Sequence, residues 1–383
     1  VTISRFAYYY DAFSEILLKG IKHLPVVDHG KICGIVTLTD LHRKKNDSVM
    51  KTIKKIEEAN EKSLADVKAA IYEITETLIK DRVPVFALLD IITKLYDRLI
   101  TRAVELSVES LQNKGLELPV PFAFYLMGSG GRGEQFMLTD QDHFLVYGET
   151  NDHDYFEKLG KEFTNKLEQA GYARCKGLMM SSEQQWRGSV LQWQDRVRRW
   201  MLQSTNENLL LAQNFFSCRF AAGSDDLNNE FEEKIEELLE RSKIFLYRMV
   251  QAEREHEIPT LDEPIRAIFK MGRKSIDMKK EILFPFHHSL QILSLYYGGI
   301  PGTPIEKISY LKENRLLTEG FADDLKQAIS HVLDLYIRQR WGNKGGSSLL
   351  TFATMSTRQK DELILSLRTL REMQGQVFAR FSI

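Results

Sequence analysis

Apolar residues recur along this chain in two different periods. Two continuous apolar runs, Phe122 to Met127 and Phe144 to Tyr147, predict short buried strands. Elsewhere the spacing is three and four. Ile53, Ile56 and Ala59, then Leu64, Val67, Ala70, Ile71, Ile74 and Leu78, fall on one face of predicted helices. After a break at Pro84, Val85 to Leu111 continues the same period, and the Lys and Glu residues between read as a solvated face. Asp154 to Ala170 predicts an amphipathic helix ended by Gly171, and Cys175 to Met180 a short extended segment. Trp186, Trp193 and Trp200 recur at a constant interval with Arg196, Arg198 and Arg199 between them, which predicts helical core packing with snorkelling arginines. Beyond Asn229 the pattern is almost entirely helical, with runs at Phe231–Met249, Phe286–Tyr297, Glu319–Arg340 and Thr357–Phe381. The turn-rich Gly298 to Pro304 interrupts it, and Thr303 followed by Pro304 predicts a helix N-cap with proline at the first helical position.

The first 45 residues differ from this helical remainder. Tyr10 to Lys19 predicts a helix, Gly20 to Asp28 a segment holding a strand, His29-Gly30-Lys31 a turn and Ile32 to Val36 a second strand. The segment closes on Thr37-Leu38-Thr39-Asp40-Leu41. Asp40 suits the N-cap of a helix beginning at Leu41.

The densest candidate chemistry lies between the two apolar runs. Four glycines fall within Gly128-Ser129-Gly130-Gly131-Arg132-Gly133, where a backbone free to take positive φ can approach a ligand closely and turn its N–H groups to phosphate oxygens. Just before the second run stands Thr139-Asp140-Gln141-Asp142. Residues two apart on an extended segment share a face, so Asp140 and Asp142 would point the same way. Two carboxylates beside a phosphate cradle suit a Mg²⁺–nucleotide site, because hard oxygen ligands hold that ion and the ion neutralises phosphate charge. Either piece alone is more often an ordinary turn or a solvated pair. The loop lacks the Gly-Lys-Ser/Thr ending of a P-loop, and its carboxylates come too soon for a dinucleotide fingerprint.

Composition narrows the rest. At 383 residues the chain is long enough for two or three domains. A net charge of −1 gives no argument for nucleic acid or an acidic membrane surface as partner. Cys33, Cys175 and Cys218 are too few and too scattered for a disulfide framework or a zinc site, which points to a reducing cytoplasm. No apolar run reaches membrane-spanning length and no signal peptide heads the chain. It opens at Val1 rather than Met, which suggests a fragment of a longer protein. His287-His288 lack a third ligand at metal spacing and read as packing or surface residues, and Lys279 and Lys280 as surface lysines.

Strand, GSGGRGEQ, a short spacer and TDQDH entering a second strand together resemble the signature of the polymerase-β-type nucleotidyltransferases. The full string is similar to the branch that holds the PII-protein uridylyltransferases, glutamine-synthetase adenylyltransferases and the CBS-linked DUF294 proteins. CKGLMM followed by WRGS, and SIDMKKEILFPFHHSLQILSLYYGG, resemble further stretches of that branch, and IKHLPVVD with GIVTLTDL resembles one CBS motif. CBS motifs work in pairs, so a second would lie upstream or on another chain. The resemblance implies an α+β, mostly helical fold: a CBS motif at 1–45, a helical connector at 46–115, a small mixed-sheet nucleotidyltransferase core at 116–227 and a C-terminal helical bundle at 228–383. It implies Mg²⁺ (or Mn²⁺) on Asp140 and Asp142, an NTP substrate with its phosphates on Gly128, Ser129, Arg132 and Arg187, and an adenine nucleotide near Thr37 and Asp40. The partners implied are a hydroxyl acceptor on a bacterial signalling protein and a second copy of the chain through its CBS or helical regions.

One departure bears on activity. The branch carries a third Asp in a string like Phe-Phe-Asp-x-Arg, where this chain has Phe215-Phe216-Ser217-Cys218-Arg219. Serine is a poor Mg²⁺ ligand and no base at neutral pH. Either another carboxylate substitutes, with Asp195, Asp225 and Asp226 nearest in sequence, or the core binds nucleotide and transfers slowly or not at all. The sequence thus leaves an enzyme and a nucleotide-sensing regulator as its two leading readings, with a pure scaffold as a weaker third.

Overall fold

The computed structural model describes residues 1–7, 11–12, 15–16, 19–37, 40, 47–261, 275–299 and 302–381. It is α+β and mostly helical, as expected, and falls into two compact units. The first comprises residues 1–118, 133–141 and 158–182, the second residues 119–132, 142–157 and 183–383. The helix expected to begin at Leu41 and much of Tyr10–Lys19 lie outside the described residues.

The first unit begins with a three-stranded sheet in the order β1 (Ile3–Ser4), β2 (His23–Asp28), β3 (Lys31–Thr37). The β2–β3 hairpin turns through His29 and Gly30, both at positive φ. Its small core gathers Ile3, Ala12, Ile16 and Leu24. Three helices follow: α1 (Asp47–Glu57), α2 (Leu64–Lys80) and α3 (Val85–Gln112). The expected stripe is the buried one, since Val67, Ile71, Ile74 and Leu78 on α2 are all shielded from solvent. Pro84 precedes α3, where its fixed φ and missing donor do no harm. The unit also holds the strand pair β5 (Asp140–Gln141) and β7 (Ala173–Arg174). The later part of α4 (His153–Ala170) belongs here too; Gly171 ends it at φ +104°.

The second unit contains the mixed sheet, ordered β8 (Arg187–Ser189), β6 (His143–Tyr147), β4 (Phe122–Leu126), β9 (Arg219–Gly223). β4 runs antiparallel to both neighbours, while β6 and β8 are parallel. Both central strands are buried along their whole length, which is why they read as continuous apolar runs rather than alternating ones. Against the sheet, Tyr125 stacks on Phe144 at 4.6 Å, and Trp193 and Phe215 close around Phe144. Trp193 comes from α5 (Val190–Leu202), capped by a Ser189/Gln192 box, and Phe215 from α6 (Asn206–Phe216). All three tryptophans of the repeat are core residues. Arg196 does not snorkel. It lies over Trp193 at 4.3 Å and donates to the carbonyls of Gln184 and Arg187, and burial pushes it down to about 10, still cationic at neutral pH.

The helical remainder corrects the expectation in two places. Phe231–Met249 is two helices, α7 (Asp225–Glu240) and α8 (Lys243–Glu253). Between them the Ser242 hydroxyl donates to the Leu238 carbonyl at 2.6 Å, competing with the helical ladder that would run through it. The helix expected just after Pro285 starts earlier: α9 (Phe284–Tyr296) takes Pro285 into its first turn and follows a wide helical turn at Met278–Leu283. The bundle is completed by α10 (Pro304–Glu313), α11 (Glu319–Gly342) and α12 (Thr357–Arg380), with the predicted Thr303 cap present as a box with Glu306. A strand pair, β10 (Ser275–Asp277) with β11 (Leu349–Thr351), was not foreseen. Among the described residues no helix is long and apolar enough to cross a membrane.

Candidate active site at a glycine loop

In the second unit, the glycine loop leaves the end of β4 and makes a single helical turn, Gly128–Gly131. Its geometry explains two of the glycines. Gly128 sits at φ +59°, and a Cβ there would lie 3.0 Å from Asp142 Oδ2. At Gly131 a Cβ would fall 2.0 Å from the Ser217 carbonyl oxygen and 2.8 Å from that of Leu126, both backbone atoms with little room to yield. The loop is therefore pressed onto the start of β9 on one side and against the Asp142 carboxylate on the other. The Met127 N–H donates to the Asp142 carbonyl at 2.9 Å, which fixes Asp142 beside the loop.

Two arginines stitch this arrangement. Arg219 Nε donates to the Gly130 carbonyl at 2.9 Å, and Arg132 Nη1 donates to Ser217 Oγ at 3.2 Å. The position expected to carry a third carboxylate thus presents a hydroxyl that accepts from a loop arginine. Asp225 and Asp226 do not replace it. They open α7 just after Gly223, which pairs with Ala123 at the end of β4 opposite the loop. Asp195 is exposed on α5 and pairs with Arg198. Burial pushes the adjacent Cys218 thiol up to about 12, so it stays protonated.

In the first unit, Asp140 lies on β5, opposite Ala173 of β7. Gln141 is buried and its side-chain amide donates to the Thr164 carbonyl, whereas Asp140 is exposed and Asp142 half-buried. The segment is not one strand, however: β5 stops at Gln141, and β6 starts at His143 in another sheet. Sequence reasoning missed Cys175. Its sulfur and an Asp140 carboxylate oxygen lie within 4.8 Å, because β7 brings the residue after Arg174 alongside β5. Nor is Cys175–Met180 extended, since Leu178 takes φ +55° in a turn.

The remaining expected residues are engaged locally. Arg187 opens β8 and donates to Glu157 at 3.0 Å. Thr37 and Asp40 bond each other: the Thr37 N–H and hydroxyl both donate to Asp40 Oδ2, at 2.8 and 2.6 Å, and the Asp40 N–H returns a bond to Thr37 Oγ1. Those two donors hold the Asp40 carboxyl below the usual carboxylate range. His288, read as a packing or surface residue, is part-buried and meets the buried Glu253 at 2.8 Å.

Residues 69–207, which include the loop, Asp140, Asp142 and Arg187, match the family model described as "Putative nucleotidyltransferase DUF294". Residues 243–381 match the one described as "Putative nucleotidyltransferase substrate binding domain", and residues 1–47 match the CBS domain. No curated protein sequence matches the chain. With its N-terminal CBS domain, the chain belongs to the DUF294 family of nucleotidyltransferase-like proteins.

Proposed function

We propose that this protein transfers a nucleoside monophosphate from an NTP to a hydroxyl acceptor carried by another protein, in the cytoplasm of a bacterial cell and under control of an adenine nucleotide at its CBS domain. The observation that carries the reading is the glycine turn seated against the Asp142 carboxylate, with Gly128 at positive φ. Asp140 and Asp142 offer the hard oxygen donors that Mg²⁺ or Mn²⁺ prefers, whereas the Cys175 sulfur near Asp140 suits a softer ion. When bound, the cation would neutralise phosphate charge and help orient the leaving group. Gly128 and Ser129 would hold phosphate oxygens through the backbone, and Arg132 would add positive charge at the same loop. Arg187 would join them only by sharing its guanidinium with Glu157. With a serine at 217, the protein's contribution is orientation and charge neutralisation rather than proton abstraction. Thr37 and Asp40 would exchange their mutual hydrogen bonds for the ribose and phosphate of the regulator. A dimer through the CBS or helical regions would supply the second CBS motif.

Calorimetric titration with ATP, UTP, CTP and GTP, with and without Mg²⁺, tests this on the wild type and on Asp140→Asn/Asp142→Asn. Magnesium-dependent binding that the double variant loses is the expected result. Binding indifferent to both metal and mutation would move the nucleotide away from the loop. The Arg132–Ser217 hydrogen bond favours a second reading, in which the core binds nucleotide and reports it without transferring it.

A further inference from the structure

The surface of the second unit also carries an open pocket of about 810 Å³, well within the range that holds small organic ligands. It lies between α6, the end of α8 and the head of α9. Leu209, Leu210, Ala252, Phe284 and Pro285 give it apolar walls. Arg248, Glu255, His256 and Lys280 also border it.

Its distinctive wall residue is Glu253, only 2% exposed. One carboxylate oxygen, Oε1, accepts from Gln213 Nε2 at 2.6 Å and meets His288 Nδ1 at 2.8 Å. The other, Oε2, is sealed from solvent and receives no hydrogen bond among the described residues. No lysine or arginine among the described residues pairs with Glu253. A buried carboxylate oxygen without a donor is costly, and the cost falls when a donor arrives from outside. A metal ion does not suit the place, because no group of three His, Cys, Asp or Glu ligand atoms converges there among the described residues. Leu209, Leu210, Ala252, Phe284 and Pro285 offer hydrocarbon contact on a wall that is otherwise polar and carries charges of both signs.

We propose that this pocket binds a small organic cation, a primary ammonium or amidinium on an apolar body, whose N–H groups supply the donor that Glu253 Oε2 lacks. The site holds whether or not the core transfers a nucleotide.

Titration of the full chain with benzylamine, with benzyl alcohol and benzoate as isosteric controls, reads it directly. Benzylamine is expected to bind at least about tenfold more tightly than benzyl alcohol, the size of effect one charge-assisted hydrogen bond gives. Benzoate should not bind, and Glu253→Gln should erase the preference for the amine. If that variant fails to fold, Leu210→Trp decides. Leu210 is 53% exposed at the pocket rim, so the larger ring can obstruct the entrance without disturbing the core. It should abolish benzylamine binding and leave Mg²⁺–nucleotide titration as in the wild type. Equal binding of amine and alcohol, binding unaffected by both substitutions, or no binding of benzylamine would each overturn the proposal; the last would mean that the buried Oε2 lies beyond a ligand's reach.

Discussion

Arg132 Nη1 donates to Ser217 Oγ at 3.2 Å, so the loop arginine is anchored on the residue at the position where a third carboxylate was expected. Ser217→Asp would turn this contact into an ion pair and place a metal-competent oxygen beside the loop. Magnesium-dependent nucleotide binding should tighten. If the missing group is what limits transfer, turnover should rise by about two to four orders of magnitude. Unchanged turnover in a discontinuous NTP assay would mean that catalysis does not wait on that position.

Gly131 is the most demanding position of the loop. An alanine there drives Cβ into the Ser217 and Leu126 carbonyl oxygens, at 2.0 and 2.8 Å. Overpacking against backbone should cost about 3 kcal/mol, read as a lower denaturation midpoint with an unchanged slope. Gly128→Ala should cost about 1 kcal/mol, from its positive φ, and also crowd Asp142.

Cys175 and Asp140 together should favour thiophilic ions. Zn²⁺ or Cd²⁺ should bind the wild type more tightly than Mg²⁺, and Cys175→Ser should lose about tenfold of that affinity while leaving Mg²⁺ binding within twofold. Equal losses for hard and soft ions would place the sulfur outside the coordination sphere.

Cysteine labelling should separate the three thiols. Exposed Cys33 should react with iodoacetamide first. Cys218, buried and pushed up to about 12, should resist alkylation at pH 8 until the chain unfolds. Early modification of Cys218, found by peptide mass mapping, would show that β9 opens readily.

His331 gives a pH signature to the C-terminal bundle. Burial lowers its affinity for a proton below that of a free histidine, and nearby Glu362 and Asp334 offset this only in part. The folded form therefore binds fewer protons than the unfolded chain once pH falls below 6.5. The stabilisation is complete above that pH and is lost as pH drops, with a slope of at most about 1.4 kcal/mol per pH unit. His331→Gln should flatten the urea-midpoint profile between pH 7.5 and 5.5.

Much of the site was legible because its residues are contiguous. The loop, the paired carboxylates and the two central strands form one stretch, and glycine spacing with apolar continuity marks each boundary. What escaped were relationships between distant residues. Cys175 meets Asp140 only through the short β5–β7 pairing, and Glu253, Gln213 and His288 converge from three helices with no motif to announce them. The break at Ser242 was hidden because the apolar period runs through it, and only the bond from its hydroxyl to Leu238 shows why the helix stops. At Asp142 local reasoning did not supply the change of sheet between β5 and β6, which no side-chain pattern encodes.

Arg219 of β9, and Arg132 and Gly131 against Ser217 just before it, fasten the glycine loop to this segment at three points. A loop held this way has surrendered its conformational entropy during folding, so little remains to be lost when a ligand arrives. Binding there should consequently carry the modest heat-capacity change of a small buried contact rather than that of a segment ordering on arrival.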